Sequence, residues 1–555
     1  MTLGPGPGSF LEKFNPLTGQ VIWRQNIAIS GGINCGRYNR ADRCTYLVDG
    51  NGVLKFDPQG RQLGSILDLK QQSILGFETV VTGINVAKGA QYPLIYLINL
   101  NQQVRNLYNS GQPVAANGKP YNIYQYSYVP KLPKERNQKV ITISTLMPDR
   151  FLETAISAYQ SKHPGIKIEL KSFVNGNIIT KVEMEQFVKS VSAELMAGKG
   201  PDILSLGSSP FQKLADRNVL VDLGALMAKD KSFDRNKYYS NILDACKYKD
   251  GLSVLPVFIQ FDALELNPEI LDKAGVRIDD TRWNWDEFLK VAEKVSLDIN
   301  GDGRPEQFAL PNMDRLRLFN WMFETQYSSF IDREKKKAYF DTPEFIGLLN
   351  LCKTFSDKQL MSTQADPNAS QFKIIINGQL MDKGAISTVA FTPTTVFGYS
   401  SLLGAKTTFH TARLLSLPGN GAGSGFETPL GMLFGINRKS KLQKEAWEFL
   451  KYLLSDEAQT FPGAMGFAVN KDAQRKRAAA EIDRETAQEI ANPLNESDME
   501  QVDRLITNLR QLNNNFDPQM IAIIDDELRP FFSGQKSASE VAKLIQSKAT
   551  TYLQE

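Results

Sequence analysis

Residues 139–207, KVITISTLMPDRFLETAISAYQSKHPGIKIELKSFVNGNIITKVEMEQFVKSVSAELMAGKGPDILSLG, decide the fold. Three short apolar runs, KVITIST (139–145), IKIEL (166–170) and DILSLG (202–207), read as strands. Between them DRFLETAISAYQSKHP (149–164) has an amphipathic helical pattern, and KVEMEQFVKSVSAELMAG (181–198) places Met184, Phe187, Val188, Val191 and Leu195 on one helical face. Strand, helix, strand, helix, strand in succession means crossover connections, hence an α/β domain with a parallel sheet covered by helices on both faces.

Immediately upstream, VPKLPKERNQ (129–138) combines prolines with charges and reads as a linker, taken as 131–138. Residues 1–130 are of another kind, with short β-like runs separated by turn residues. Phe14-Asn15, Phe56-Asp57 and Ile98-Asn99 recur at a spacing of 42 residues, each following an apolar strand and opening a turn. That period matches a four-stranded propeller blade, and the first unit, ending in TGQVIW, resembles the repeats of quinoprotein-type propellers. Three units are too few for a ring of about four to eight blades, so the expectation is an incomplete, all-β propeller-like module. Downstream, residues 139–555 form the larger domain and finish on three helical patterns.

The net charge of +3 gives no field for nucleic acid or an anionic membrane surface. No apolar run is long enough to span a membrane. The N-terminus MTLGPGPGSF lacks the basic and apolar regions of an export signal, so the chain is either cytosolic or begins downstream of one; it also opens without a lipid-attachment cysteine. Cys35 and Cys44 could close a hairpin in an exported protein or stand as two free thiols, while Cys246 and Cys352 sit in apolar contexts and read as core.

Residues 298–303, DINGDG, open like a calcium loop. In an EF-hand, positions 1, 3, 5, 7, 9 and 12 bind; here these are Asp298, Asn300, Asp302, the Arg304 carbonyl, Glu306 and Ala309. The twelfth position fails, and EQFALP after Pro305 reads as a strand, so no leaving helix follows. The expectation is a structural calcium ion at a helix exit rather than a sensor, with a metal-free loop of Asx turns as the alternative. Just before it, Asn284 and Glu287 form a capping-box pattern that makes Trp285 structural, and Trp447 lies on the apolar face of a helix.

Eight segments in order, HPGIKIEL, AELMAGKGPDILSLGSSPFQKLADRNVLVDLGALM, YKDGLSVLPVFIQFDALELNPEILDKAGV, WNWDEFLKVAEKV, INGQLMDKGAIST, LLSLPGN, GMLFGINRKSKLQKEAWEFLKYLLSDEAQ and FFSGQKSASEVAKLIQSKATTYLQE, resemble the extracellular solute-binding proteins of ABC importers, of the maltose- and oligosaccharide-binding type. The resemblance covers 139–555. It implies a two-lobed periplasmic-binding-protein fold of type II, a ligand held in the cleft between lobes, docking of the closed form on ABC permease subunits, and an extracellular, cell-surface location.

Sugars are held by aromatic rings against their C–H faces and planar polar side chains on their hydroxyls. Where the family's chain lines the cleft, the candidates are Ser208 and Ser209 after a strand end; Phe258, Gln260, Phe261 and Asp262 at the lobe crossing; Trp321 with Phe319 and Tyr327; Phe391 and Tyr399; and Phe426 with Glu427. Each aromatic also has a core reading. The implied ligand is an oligosaccharide, with peptides or polyol-like solutes as the fallback. His163 and His410 have no metal-ligand spacing, no G-x-S-x-G elbow is present, and GNGAGSGFETP lacks the lysine of a phosphate loop. The chain therefore reads as a binding protein; a secreted glycan-active enzyme, or a surface sensor whose β module holds a protein partner, are the alternatives.

Overall fold

The computed structural model describes residues 10–15, 17–27, 35–40, 42–48, 52–68, 79–85, 94–100, 121–126, 138–147, 149–174, 179–207, 211–281, 283–362, 388–409, 413–419, 424–461, 464–487, 490, 492–513 and 518–554. The chain divides into two compact units, one of residues 1–140 with 149–168, the other of 141–148 with 169–555.

Among the described residues the first unit holds nine strands before residue 131: β1 (Phe10–Phe14), β2 (Val21–Asn26), β3 (Cys35–Asn39), β4 (Cys44–Val48), β5 (Gly52–Phe56), β6 (Gln62–Asp68), β7 (Thr79–Asn85), β8 (Leu94–Leu100) and β9 (Tyr121–Tyr126). They form an antiparallel pair β1-β2, a four-stranded meander β3-β4-β5-β6 and a three-stranded sheet β7-β8-β9. The repeat is visible in the turns. Phe14 and Phe56 end β1 and β5, and the next residue caps the turn in both: Asn15 Oδ1 accepts the Leu17 N–H and Asp57 Oδ1 accepts the Gln59 N–H, each at 2.9 Å. Ile98 instead lies inside β8, and the turn after it falls outside the described residues. Leu11, Ile27, Leu47, Leu54 and Phe56 make a small core roofed by Trp23. Among the described residues these sheets close no ring.

Cys35 pairs with Val48 and Cys44 with Asn39 across β3 and β4. That register separates the two cysteines by four residues along the ladder, about 14 Å at strand rise, where a disulfide needs Cα atoms within about 7 Å. Cys44 is a free, buried thiol, as are Cys246 and Cys352. The hairpin bridge is thus excluded by register. Thiol titration in denaturant without reductant is expected to find four thiols per chain; two would restore the bridge.

The α/β part of the chain, read from residue 139 onward, draws on both units, because residues 139–140 and 149–168 group with the first and the rest with the second. Its strands are β10 (Lys139–Thr145), β11 (Ile166–Ser172), β12 (Ile203–Ser205), β13 (Leu255–Pro256), β14 (Phe258–Ile259), β15 (Phe261–Leu266), β16 (Ile331–Asp332), β17 (Lys337–Ala338), β18 (Phe391–Val396), β19 (Leu414–Ser416), β20 (Ser424–Phe426), β21 (Leu433–Ile436), β22 (Phe467–Ala468) and β23 (Leu509–Leu512). A five-stranded sheet runs β11-β10-β12-β21-β13, with β10 parallel to β12 and β21 antiparallel to both its neighbours. The helix Lys181–Met196 between β11 and β12 starts on a Thr180–Glu183 capping box. A second sheet, β18-β15-β19, is antiparallel.

Helices pack the second sheet's lobe. Trp285 opens the helix Trp285–Val295, capped by the Asn284–Glu287 box, and its Nε1 donates to Thr325 Oγ1 at 2.9 Å inside the core. Phe288 packs edge-on against it, Phe319, Phe323, Phe345 and Phe355 belong to the same core, and the helices Pro518–Phe532 and Ala538–Gln554 complete that core with Met520, Ile524, Leu528, Val541 and Ile545. Trp447 is buried too, its Nε1 donating to Asp230.

Candidate functional site

The two sheets are joined by strand crossings, and the crossings hydrogen-bond to one another. The chain leaves the first sheet at β13, passes through β14 and enters the second at β15; it returns through β20 to β21. Where the two passes meet, the Gln260 N–H donates to the Glu427 carbonyl at 2.8 Å and the Glu427 N–H to the Gln260 carbonyl at 2.7 Å, a single antiparallel bridge. β22 lies along β14, Phe258 opposite Ala468 and Ile259 opposite Phe467. Short strands that pass between two sheets in this way are a natural place for bending between two lobes.

Side chains at this meeting point are polar and mostly acidic. Gln260 Nε2 donates to Glu427 Oε2 at 3.3 Å. Two residues on, Asp262 Oδ1 accepts the Thr395 hydroxyl of neighbouring β18 at 2.6 Å. Glu324, the last residue of the helix Arg315–Glu324, comes close enough for both carboxylates to act on it. Burial pushes its carboxyl up to about 8, and the negative charges of Asp262 and Glu427 add to this. Burial also raises Asp262 against the pull of the Thr395 hydroxyl, and partial desolvation with the Asp262 charge raises Glu427. At neutral pH the cluster can therefore offer both a carboxylic O–H donor and carboxylate acceptors, together with the Gln260 amide.

Of the residues nominated from sequence, Gln260, Asp262 and Glu427 are brought together here. Trp321, one helical turn before Glu324, is partly exposed, its ring edge-on to Trp285 at 4.9 Å. The other aromatics take the core role. Phe258, Phe319, Phe391 and Phe426 are fully buried, Phe261 stacks on Phe467, and Tyr327 is buried. Phe391 packs against Phe288, and the Phe258 ring carries the Arg477 guanidinium 5.1 Å above it. Packed into the lobe interiors, these rings offer no free face to a solute. Tyr399 is nearly buried, its hydroxyl accepting from Gln474 Nε2 at 2.6 Å. Ser208 and Ser209 lie outside the described residues, as does His410. Sequence reading missed Glu324 and Thr395; only the three-residue step from Trp321 to Glu324 on one helix hinted at the former.

The DINGDG loop is exposed and distant in sequence from the crossings. Asp298, Asp302 and Glu306 bring three carboxylates within 4.8 Å of one another. Their oxygens also cap the loop: Asp298 accepts the Gly301 and Gly303 N–H groups at 2.7 and 2.8 Å, Asn300 that of Asp302, Asp302 that of Arg304, and Glu306 that of Ile299. The donor set, hard oxygens on a tight loop, fits a calcium-type cation. After it Gln307, Phe308 and Leu310 make single bridges, not a continuous strand and not a leaving helix.

Two α/β lobes joined by paired crossings, with a polar cluster where they meet, define a hinged binder. The family model described as bacterial extracellular solute-binding protein matches residues 154–483, and the chain belongs to this family. Solved structures share its fold. An extracellular solute-binding protein family 1 from Alicyclobacillus acidocaldarius aligns at 15% identity over 75% of this chain and 99% of that one, with a TM-score of 0.51. The sugar-binding protein MalE from Xanthomonas citri aligns at 12% identity over 75% and 98%, with a TM-score of 0.54. A sugar transporter from Rhizobium etli in an open conformation aligns at 16% identity over 74% and 99%, with a TM-score of 0.51.

Proposed function

We propose that this extracellular solute-binding protein captures an oligosaccharide between its lobes and delivers it to the membrane subunits of an ABC permease. The observation that carries the reading is the meeting of Gln260, Asp262, Glu324, Thr395 and Glu427 at the lobe crossing, a dense set of donors and acceptors suited to sugar hydroxyls. The sugar-binding protein from Xanthomonas citri and the sugar transporter from Rhizobium etli, which share the fold, point the same way. A solute touching both lobes stabilises the closed state, and the permease then reads closure. Thermal melts of the full chain against neutral oligosaccharides, amino acids and peptides test this. A bound solute at about 100 times its Kd raises stability by roughly 2.7 kcal/mol. A shift with peptides and none with glycans would replace the sugar reading; consumption of a glycan would point to an enzyme instead.

The loop at 298–306 is read as a structural calcium site, with Asp298, Asn300, Asp302, the Arg304 carbonyl and Glu306 as ligands. Chelator is expected to lower the melting temperature by several degrees, and Asp298→Ala to abolish the difference. Identical melts with and without chelator would leave the Asx-turn network as the whole explanation. We read the sheets of residues 10–126 as propeller-type blades that serve as a protein-docking module. A partner should then be retained by the full chain and lost on deletion of 1–130.

A further inference from the structure

With every nominated ring but Trp321 buried, the lobe crossing still presents apolar surface from two side chains the sequence did not single out. Leu430 is 36% exposed on the turn between β20 and β21, and Met465 is 63% exposed on the turn before β22. Neither turn is loose. The Ser205 hydroxyl donates to the Gly431 carbonyl at 2.9 Å, and Val257 N–H to the Met432 carbonyl at 3.0 Å, fixing the turn that carries Leu430. Arg477 fixes the other: its guanidinium donates to the Ala464 and Gly466 carbonyls at 2.8 and 2.9 Å and to Gln459, while Gly466 N–H donates to the Phe397 carbonyl. The two turns abut, since a Cβ on Gly466 would lie 3.0 Å from Pro429 Cγ.

Their place in the topology matters. A Cβ on Gly207 would lie 3.4 Å from Leu430 Cδ1, so Leu430 lies against the carboxyl end of β12. In the order β11-β10-β12 the chain passes to one side of β10 and then to the other, a switch point where the crevice beyond the strand ends receives ligands. On the other side, Leu430 is three residues from Glu427 and its polar neighbours.

We propose that Leu430 and Met465, held out of the core on clamped turns, form the apolar platform on which the C–H face of the solute rests, with Gln260 and Glu427 taking its hydroxyls at the edge. This rests on the sugar reading and narrows it. The solute has one apolar face and a hydroxylated rim, as a neutral hexose ring does, and needs no aromatic stacking partner. Calorimetric titration of the full chain with neutral malto- and cello-oligosaccharides tests it, using Leu430→Ala, Met465→Ala, the double variant and Met465→Leu. Leu544→Ala, a similarly exposed leucine on the helix Ala538–Gln554, is the control. Each alanine is expected to weaken binding about tenfold and the double variant about a hundredfold, Met465→Leu to restore most of it, and the control to bind as wild type, with melting temperatures unchanged. A double variant that binds like the control overturns the platform and leaves the sugar reading standing. A wild-type chain that binds none of these sugars overturns both.

Discussion

Replacing Gly466 by alanine is expected to destabilise the larger unit by roughly 2–5 kcal/mol, through backbone strain and overpacking together. Gly466 adopts φ +89°, where an L side chain is strained. A Cβ there would also stand 2.8 Å from the Ile259 carbonyl, 3.0 Å from Pro429 Cγ and 3.1 Å from Phe258 Cβ, all parts of the crossing strands with no room to withdraw. Gly534→Ala separates the two causes. Its φ of +77° is similar, but nothing lies within 4 Å of its Cβ position, so it should lose about 1 kcal/mol, from strain alone. Denaturant melts of both variants read the difference. Equal losses would mean that the packing of the crossings against Gly466 contributes nothing, and the hinge would be softer than described.

Replacing Glu324 by glutamine is expected to flatten the dependence of stability on pH and to stabilise the protein at pH 8. The sign follows from proton counts. The carboxyl of Glu324 holds its proton to about 8 in the folded chain and releases it near 4.5 when unfolded. Between those values the native state binds more protons, so stability falls as pH rises. Below pH 4.5 the residue is protonated in both states and has no such effect. Across the window the loss is on the order of a few kcal/mol, since each pKa unit corresponds to about 1.4 kcal/mol. Removing one neighbour, by Asp262→Asn or Glu427→Gln, should shorten the window by lowering the Glu324 pKa. Urea midpoints from pH 4 to 9 decide it: a wild-type slope that survives Glu324→Gln would place the titrating group elsewhere.

The two predictions share a physical origin. A cleft between moving lobes must be lined by groups that are neither fully packed nor fully solvated. A glycine tolerating close backbone approach and a carboxyl kept protonated chiefly by burial, with its acidic neighbours adding to this, are two products of that requirement.

Much of the fold was legible in residues 139–207, where apolar periodicity and crossover length alone imply a parallel sheet, and β10, β11 and β12 lie where those runs are. The capping box at Asn284 and the buried roles of Trp285 and Trp447 were equally local, because caps and amphipathic faces involve residues three or four apart. The turns after Phe14 and Phe56 were legible for the same reason. Register was not: only the pairing of β3 with β4 separates Cys35 from Cys44, since nine residues in a chain are compatible with many distances in space. The site divides along the same line. Gln260, Asp262 and Glu427 were within reach because they flank strand ends. The burial of Phe258, Phe391 and Phe426, the approach of Glu324 to two other carboxylates, and the exposure of Leu430 and Met465 depend on contacts between segments far apart in the chain, as much as 226 residues for Ser205 and Gly431. By itself the sequence determined which segments of 139–207 are strands and helices, since those follow from local spacing and capping. The tertiary structure alone decided which aromatic rings face inward and which carboxyls lie close to one another, because burial and charge proximity are properties of what the chain brings together.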